Sequence, residues 1–261
     1  MNEKPKDQGQ GWDSGQYLKF AGPRLRPALD LLAHINVDSP QSIYDLGCGP
    51  GNVTQLLAER WPGANITGVD GSPDMLARAA ADFPDMAWVE ADLNAWQPDG
   101  PIDVVFSNAA LHWLDNHAVL FPRLMGHLNP GGALAVQMPG NHAQPSHMLI
   151  RDAAESLLGK IEPHMRPDPV EALGVYYDAL ESVSSEVDIW ETVYNQVLKG
   201  DNAVAEWTKG SVLKPLLDVL DEDEKEFFFR AYSELVGKAY PKRLDGKTIF
   251  PFRRVFIVAK R

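Results

Sequence analysis

Through the first half of the chain, short apolar runs alternate with longer segments whose apolar residues recur every three to four positions. This is the pattern of strand–helix–strand units wound around a parallel sheet. The runs at 42–46, 65–70, 87–90, 103–107 and 133–138 predict strands, and the amphipathic stretches at 52–61, 73–82 and 116–128 predict the helices between them. A further helix is expected over 23–36, where Pro27 falls in the first turn and Leu29, Leu32, Ala33 and Ile35 follow at helical spacing. Ser72 followed by Pro73 reads as an N-cap with proline at the first helical position, and Pro130-Gly131-Gly132 as the turn that returns the chain to the sheet. Beyond Met138 the rhythm changes. Residues 143–182 are mostly helical in pattern, 186–198 form a β-rich run, helices are expected at 201–213 and 221–239, and 255–259 is a last apolar strand.

The fold class these elements predict is α/β, a Rossmann-like, seven-stranded and mostly parallel sheet with helices on both faces and late helical insertions. One domain is expected to span 1–261, with a core over 40–140, a leading segment over 1–22, and helical insertions at 143–182 and 200–250 that lie over the active site.

Charge narrows the partners. The chain has 24 Lys and Arg against 36 Asp and Glu, a formal net charge of −12, which disfavours a nucleic-acid binder because backbone phosphates need a basic surface. The lone Cys48 cannot form an internal disulfide, residues 1–12 lack the apolar core of a signal peptide, and no run approaches the roughly 18 apolar residues of a membrane span. A cytoplasmic protein with neither a membrane nor an obligate protein partner is the expectation. The seven histidines are scattered without metal-ligand spacing, so no metal is expected.

The chemistry concentrates in Asp45-Leu46-Gly47-Cys48-Gly49-Pro50-Gly51, directly after a strand and before a helix. Alternating glycines let the backbone turn sharply and let a ligand approach closely. The nicotinamide fingerprint spaces its glycines G-x-G-x-x-G; here the spacing is G-x-G-x-G with an acid ahead of it, an arrangement expected to repel a pyrophosphate and attract an ammonium. Asp70 ends the second strand 19 residues after Gly51 and can accept both hydroxyls of a ribose. Asp92, after the third strand, can accept from an adenine amino group while Leu93 covers the ring. Three acids at the C-terminal ends of successive strands stand where open α/β sheets bind ligands.

Through DLGCGPG, VDGS and EADL, residues 40–140 resemble the class I S-adenosylmethionine (SAM)-dependent methyltransferases. The segments WDSGQYLKFAGPRLRPALDLL, FSNAALHW, EWTKG and LDGKTIFPFRRVFIVAK look like the trans-aconitate 2-methyltransferase family and extend the resemblance over nearly the whole chain. The resemblance implies SAM as cofactor and S-adenosylhomocysteine as product. It places Gly47, Gly49 and Gly51 at the methionine part, Asp70 at the ribose and Asp92 with Leu93 at the adenine. Trp12, Asp45, Leu46, Gly71, Ser72 and Met75 complete the implied cofactor contacts, and Asn108, Ala109, Leu111 and Trp113 would line the methyl-transfer end.

It further implies a small anionic substrate, trans-aconitate, esterified on one carboxylate. A carboxylate is ionised at neutral pH and needs no general base, so no catalytic histidine is required. His112 is either a donor to a substrate carboxylate or an ordinary loop histidine. The Ser107-Asn108-Ala109-Ala110 segment lacks the Asn/Asp-Pro-Pro-aromatic motif of amide and base N-methyltransferases, favouring an oxygen or carbon acceptor. Methylation of carbon or phenolic oxygen on a quinone-like metabolite stays open, as does a SAM-binding regulatory protein without turnover.

An anionic substrate needs cations. Residues 237–261 hold eight Lys and Arg against Asp245 alone, a local +7 that leaves −19 for the rest. Arg243, Arg253, Arg254 and Lys209 are the candidates, or else solvated surface charges; Arg253 and Arg254, being adjacent, should face opposite ways in an extended segment. Trp12, Tyr17, Trp113 and Trp207 would exclude water. Trp12, Tyr17 and Phe20 form either a lid over the cofactor or a cap on the core.

Overall fold

A computed structural model describes residues 25–165 and 170–261, so the expectations for Trp12, Tyr17 and the 1–22 lid lie outside the described residues. In chain order the elements are α1 (Arg26–Ala33), β1 (Ser42–Leu46), α2 (Asn52–Arg60), β2 (Asn65–Asp70), α3 (Pro73–Asp82), β3 (Ala87–Glu90), β4 (Ile102–Asn108), α4 (His117–Gly126) and β5 (Leu128–Pro139). Then follow α5 (Pro145–Ala154), α6 (Leu158–Ile161), α7 (Leu173–Leu180), β6 (Glu186–Leu198), α8 (Ala203–Lys209), α9 (Lys214–Leu217), α10 (Glu222–Ala239) and β7 (Thr248–Lys260). No helix among the described residues is long and apolar enough to cross a membrane.

The seven strands form one sheet in the order β3-β2-β1-β4-β5-β7-β6. Strands β1 to β5 pair in parallel, and β7 is antiparallel to both β5 and β6. Chain order reverses between β1 and β4, the switch point at whose carboxyl edge doubly wound sheets leave a crevice.

Period-two alternation sorts the strand side chains between two cores. Val105, Leu134, Val136, Met138, Val255 and Ile257 pack with α4 and α7. Ile43, Val104, Phe106, Ala133, Ala135 and Phe256 pack under α1 and α2. Helices α5, α6 and α8 to α10 form a third cluster with Leu198, Phe250 and Phe252, on the part of the β6–β7 ribbon that runs past the end of β5, since Pro139 pairs with Arg254. The late helices therefore pack at the same edge of the sheet as the crevice.

Local chemistry explains the early boundaries. The Ser72 hydroxyl accepts from the Met75 N–H with Pro73 in the first turn, so α3 begins where expected. Two strands are longer than their sequence pattern. Pro130-Gly131-Gly132 does not precede β5 but forms an irregularity within it: the β4 register jumps from Ile102–Leu128 to Val104–Ala133, with Gly131 at φ 82°. Strand β7 begins at Thr248 because β6 supplies hydrogen-bond partners along its whole length.

Candidate active site

The loop after β1 carries three left-handed residues, Gly47 (φ 76°), Gly49 (φ 54°) and Gly51 (φ 85°), a run that only glycine adopts without strain. A Cβ on Gly47 would stand 2.0 Å from the Cβ of Ala110, and one on Gly51 would stand 2.6 Å from the Trp88 ring; a Cβ on Gly49 would meet nothing within 4 Å. The outer two glycines permit packing, whereas the middle one presents bare backbone to open space, as a ligand cradle requires. Gly47 N–H and Cys48 N–H donate to Val69 O (2.7 and 3.1 Å), and Ser107 Oγ donates to Leu46 O at 2.8 Å. These bonds tie the loop to β2 and β4 on either side of the switch point.

Asp70 is the hub of the loop. Its Oδ2 accepts from Gly49 N–H at 2.8 Å and its Oδ1 from Ser72 N–H at 2.9 Å. Each oxygen retains acceptor capacity for a ligand hydroxyl. Gly71 and Met75 lie beside it at the start of α3, where Met75 is 39% exposed. Asp92 is exposed, with Oδ1 accepting from the backbone and side-chain amides of Asn94 at 2.9 Å; the next backbone carbonyl, of Leu93, is held by Arg123 at 2.9 Å. The structure thus brings the glycine loop, Asp70, Ser72, Asp92 and Asn108 to one edge.

The Asp45 side chain is 2% exposed beneath the loop, with Oδ2 accepting from Thr54 Oγ1 at 2.7 Å. Burial, opposed by that hydrogen bond and aided by the charge of Asp70, pushes its pKa up to about 7. Asp45 therefore fastens the loop to α2. The Leu111 side chain is wholly buried in the core at the start of the turn that follows β4. Leu46 is likewise buried, at 1% exposure.

After β4, Ala109 adopts φ 55° with its N–H on Gln137 O at 2.9 Å, and a short 3-10 turn, Leu111–Trp113, carries half-buried His112 and exposed Trp113, whose rings lie 4.8 Å apart. A buried pair unforeseen in the sequence fixes this turn. His117 Nε2 lies 3.0 Å from Leu111 O and Nδ1 lies 2.7 Å from the Tyr176 hydroxyl. That hydroxyl also accepts from Glu171 N–H at 3.0 Å, and because a carbonyl oxygen can only accept, Nε2 is the donor to Leu111 O.

The four predicted cations part company. Arg243 is exposed in the turn between α10 and β7. Lys209 lies 4.5 Å over the Phe229 ring, in the helical layer. Arg253 pairs with Glu191 at 3.3 Å, and its N–H donates to Asn141 Oδ1 at 2.8 Å. Arg254 turns to the opposite face, as adjacency demanded: its guanidinium stacks 4.4 Å over Phe252, against which Trp207 packs edge-on. Its Nε is buried with no hydrogen-bond partner, and burial lowers its pKa to about 10. Among the described residues no carboxylate pairs with it.

Asn108 Oδ1 and both polar atoms of Gln137 are also buried without partners. Gln137 was missed in the sequence, although the signal was there as the one polar residue in the apolar run 133–138. No group of three or more His, Cys, Asp or Glu among the described residues could hold a metal. Unpartnered acceptors beside an acid-lined glycine loop suit a cationic, ribose-bearing cofactor, and the unpaired guanidinium suits an anion next to it.

Comparison with known proteins agrees with this division. A family described as "Methyltransferase domain" matches residues 43–132. Proteins named trans-aconitate 2-methyltransferase are 45% identical over 96% of this chain and 99% of the relative in Azoarcus sp. (strain BH72). The corresponding values are 46% over 95% and 98% in Rhodopseudomonas palustris (strain BisB18), and 42% over 96% and 98% in Escherichia coli O8 (strain IAI1). Among solved structures, the fold is similar to that of a putative methyltransferase from Bacillus halodurans, with TM-score 0.57, 14% identity, and 90% of this chain and 98% of that one covered. It is also similar to phosphoethanolamine N-methyltransferase 2 of Haemonchus contortus in complex with SAM, with TM-score 0.54, 17% identity, and 90% of this chain and 52% of that one covered. With relatives above 40% identity aligned along nearly their full length, this chain belongs to the trans-aconitate 2-methyltransferase family.

Proposed function

We propose that the protein transfers a methyl group from SAM to one carboxylate of trans-aconitate, giving the monomethyl ester. The cofactor, when bound, supplies an electrophilic methyl on a sulfonium. The residues present fit that group: Gly49 leaves open space where a Cβ would intrude, Asp70 offers two carboxylate oxygens at the edge of the sheet, and Asn108 Oδ1 is a buried acceptor without a partner. The Gly49 N–H already donates to Asp70, whereas a pyrophosphate site uses bare N–H groups.

The observation that carries the substrate assignment is Arg254. Arg254 is half-buried with its Nε buried and unpartnered, a cost that a bound anion would offset by completing the guanidinium's bonds. Its side chain leaves β7 on the face that also carries Asn108 on β4, because Phe256 and Phe106, two residues from each along their strands, pack in the same core. A substrate anchored there through one of its carboxylates lies on the same face of the sheet as Asn108 at the end of β4.

The methyl that the cofactor would supply needs only an acceptor that is already ionised, as a carboxylate is at neutral pH, so the chain's part would be to hold the two groups aligned, through the glycine loop, Asp70, Asn108 and Arg254, and to exclude water, with no proton to move. His112 is then not required to transfer a proton. The relatives' names support the same substrate.

The test is direct. The purified protein is incubated with methyl-labelled SAM and, separately, trans-aconitate, cis-aconitate, citrate and succinate, and the products are scored for a base-labile methyl ester. Label on trans-aconitate above the others is expected; no ester on any carboxylate refutes the reading.

A further inference from the structure

Gln137 stands out because its carboxamide is 0% exposed while neither Oε1 nor Nε2 has a partner. A buried amide left unsatisfied costs more than any apolar side chain of its size would. The residues before it on the same face, Ala133 and Ala135, are small and apolar, so packing does not explain the choice of glutamine.

Its neighbours supply the reason. Gln137 is directly opposite Asn108 in the β4–β5 register and opposite Phe256 in the β5–β7 register; Arg254, two residues from Phe256, is its diagonal neighbour on the same face. Across three strands the order is therefore an unpartnered acceptor, Asn108 Oδ1, an unpartnered amide, Gln137, and an unpartnered guanidinium, Arg254. The first suits the sulfonium, the last suits an anion, and the amide between them can serve both.

We propose that Gln137 is the positioning residue for the reacting carboxylate, its Nε2 donating to the oxygen that does not attack, while Arg254 holds a second carboxylate that keeps its charge. The inference rests on the carboxylate-substrate reading above. The distribution of charge favours this division. The reacting carboxylate loses its charge as the ester forms, so a full cation on it stabilises the ground state more than the transition state and slows the step. A neutral amide orients the same group with less of that penalty. A carboxylate remote from the reaction loses nothing to a guanidinium, which grips it bidentately.

The experiment compares wild type, Gln137→Met and Gln137→Glu in trans-aconitate esterification at saturating SAM, with calorimetric binding of S-adenosylhomocysteine and thermal melting measured on each. Methionine keeps the volume and removes the hydrogen bonds. For Gln137→Met, kcat is expected to fall about 10- to 100-fold, the range for one hydrogen bond to a charged group, with KM changing less than kcat and S-adenosylhomocysteine affinity within about twofold of wild type. Gln137→Glu places a like charge on the substrate, so its activity should be lost at pH 8 and recover as pH falls toward 5 and the new carboxyl takes a proton, a profile that a purely structural glutamine would not produce. Gln137→Met with wild-type kcat overturns the inference, as does an equal loss of melting temperature and S-adenosylhomocysteine binding in Gln137→Met together with a wild-type pH profile in Gln137→Glu. Ester formation by wild type with either of those results sinks the role of Gln137 alone, whereas no ester from wild type sinks the substrate reading and the inference with it.

Discussion

Arg254→Met should make the ligand-free protein more stable and the enzyme nearly inactive. Burial lowers the Arg254 pKa to about 10, which at about 1.4 kcal/mol per tenfold change in proton affinity is a desolvation cost on the order of 3 kcal/mol. Because the folded pKa is the depressed one, that cost is present in full below pH 10 and is relieved only as pH rises beyond it. Against it stands the stacking on Phe252 at 4.4 Å, about 1–2 kcal/mol for a largely desolvated cation on an aromatic ring. Methionine keeps much of the apolar stem, so the net gain is about 1–2 kcal/mol. In a chain of this size that is a rise in melting temperature of about 2–8 °C. Removing one partner of a buried charge pair costs about 2–5 kcal/mol in binding, or about 30- to 5,000-fold in trans-aconitate affinity. Calorimetric melting without ligands and titration with trans-aconitate in the presence of S-adenosylhomocysteine measure both. A variant that melts lower than wild type and binds trans-aconitate as tightly would refute the reasoning, because the guanidinium would then be structural.

Other outcomes follow from the loop. Asp45 holds its proton up to about pH 7 because burial disfavours the anion; the folded pKa is raised, so its stabilising contribution is full below the unfolded value near 4 and is lost as pH rises to about 7. Urea unfolding of the ligand-free protein at pH 5 and pH 8 should show wild type losing stability relative to Asp45→Asn, by up to about 1.4 kcal/mol per pH unit over the affected range; an equal difference at both pH values counts against the buried acid. Gly47→Ala puts a Cβ 2.0 Å from that of Ala110 at φ 76°, and should cost about 2–4 kcal/mol in unfolding free energy and abolish SAM binding, while adding Ala110→Gly relieves the clash but not the backbone strain. Asp70→Ala frees the Gly49 and Ser72 N–H groups that the carboxylate holds and should weaken S-adenosylhomocysteine binding by 1.5–3 kcal/mol, roughly 10- to 100-fold by titration, with Asp70→Asn between the two.

Legibility differed by element for physical reasons. Strands β1, β2 and β3 and helix α3 match their sequence patterns residue for residue, because their ends are set locally, by Ser72-Pro73, by the glycine loop and by turns. Strands β5 and β7 were read short, since Leu128 is extended by pairing with Ile102 of β4 ahead of the irregularity, and 248–254 by pairing with β6. At the site, the glycine loop and the acids at Asp70 and Asp92 were visible as spacing. Spacing does not report depth: that Asp45 is buried against Thr54 of α2 and that the Leu111 side chain enters the core became visible only in the structure.

By itself the sequence determined the parallel α/β core, the carboxyl edge at which a ligand binds, the family, and the existence of a basic segment capable of meeting an anion. Those follow from local periodicity, turn chemistry and composition, which act over a few residues. The tertiary structure alone separated the cations: Arg253 meets Glu191 across β6, whereas Arg254 faces the other way, half-buried and without an acidic partner among the described residues, and Asn108 and Gln137 join it by strand register. Desolvation and pairing are properties of three-dimensional neighbours 60 to 150 residues away in sequence, and no local pattern in the chain encodes them.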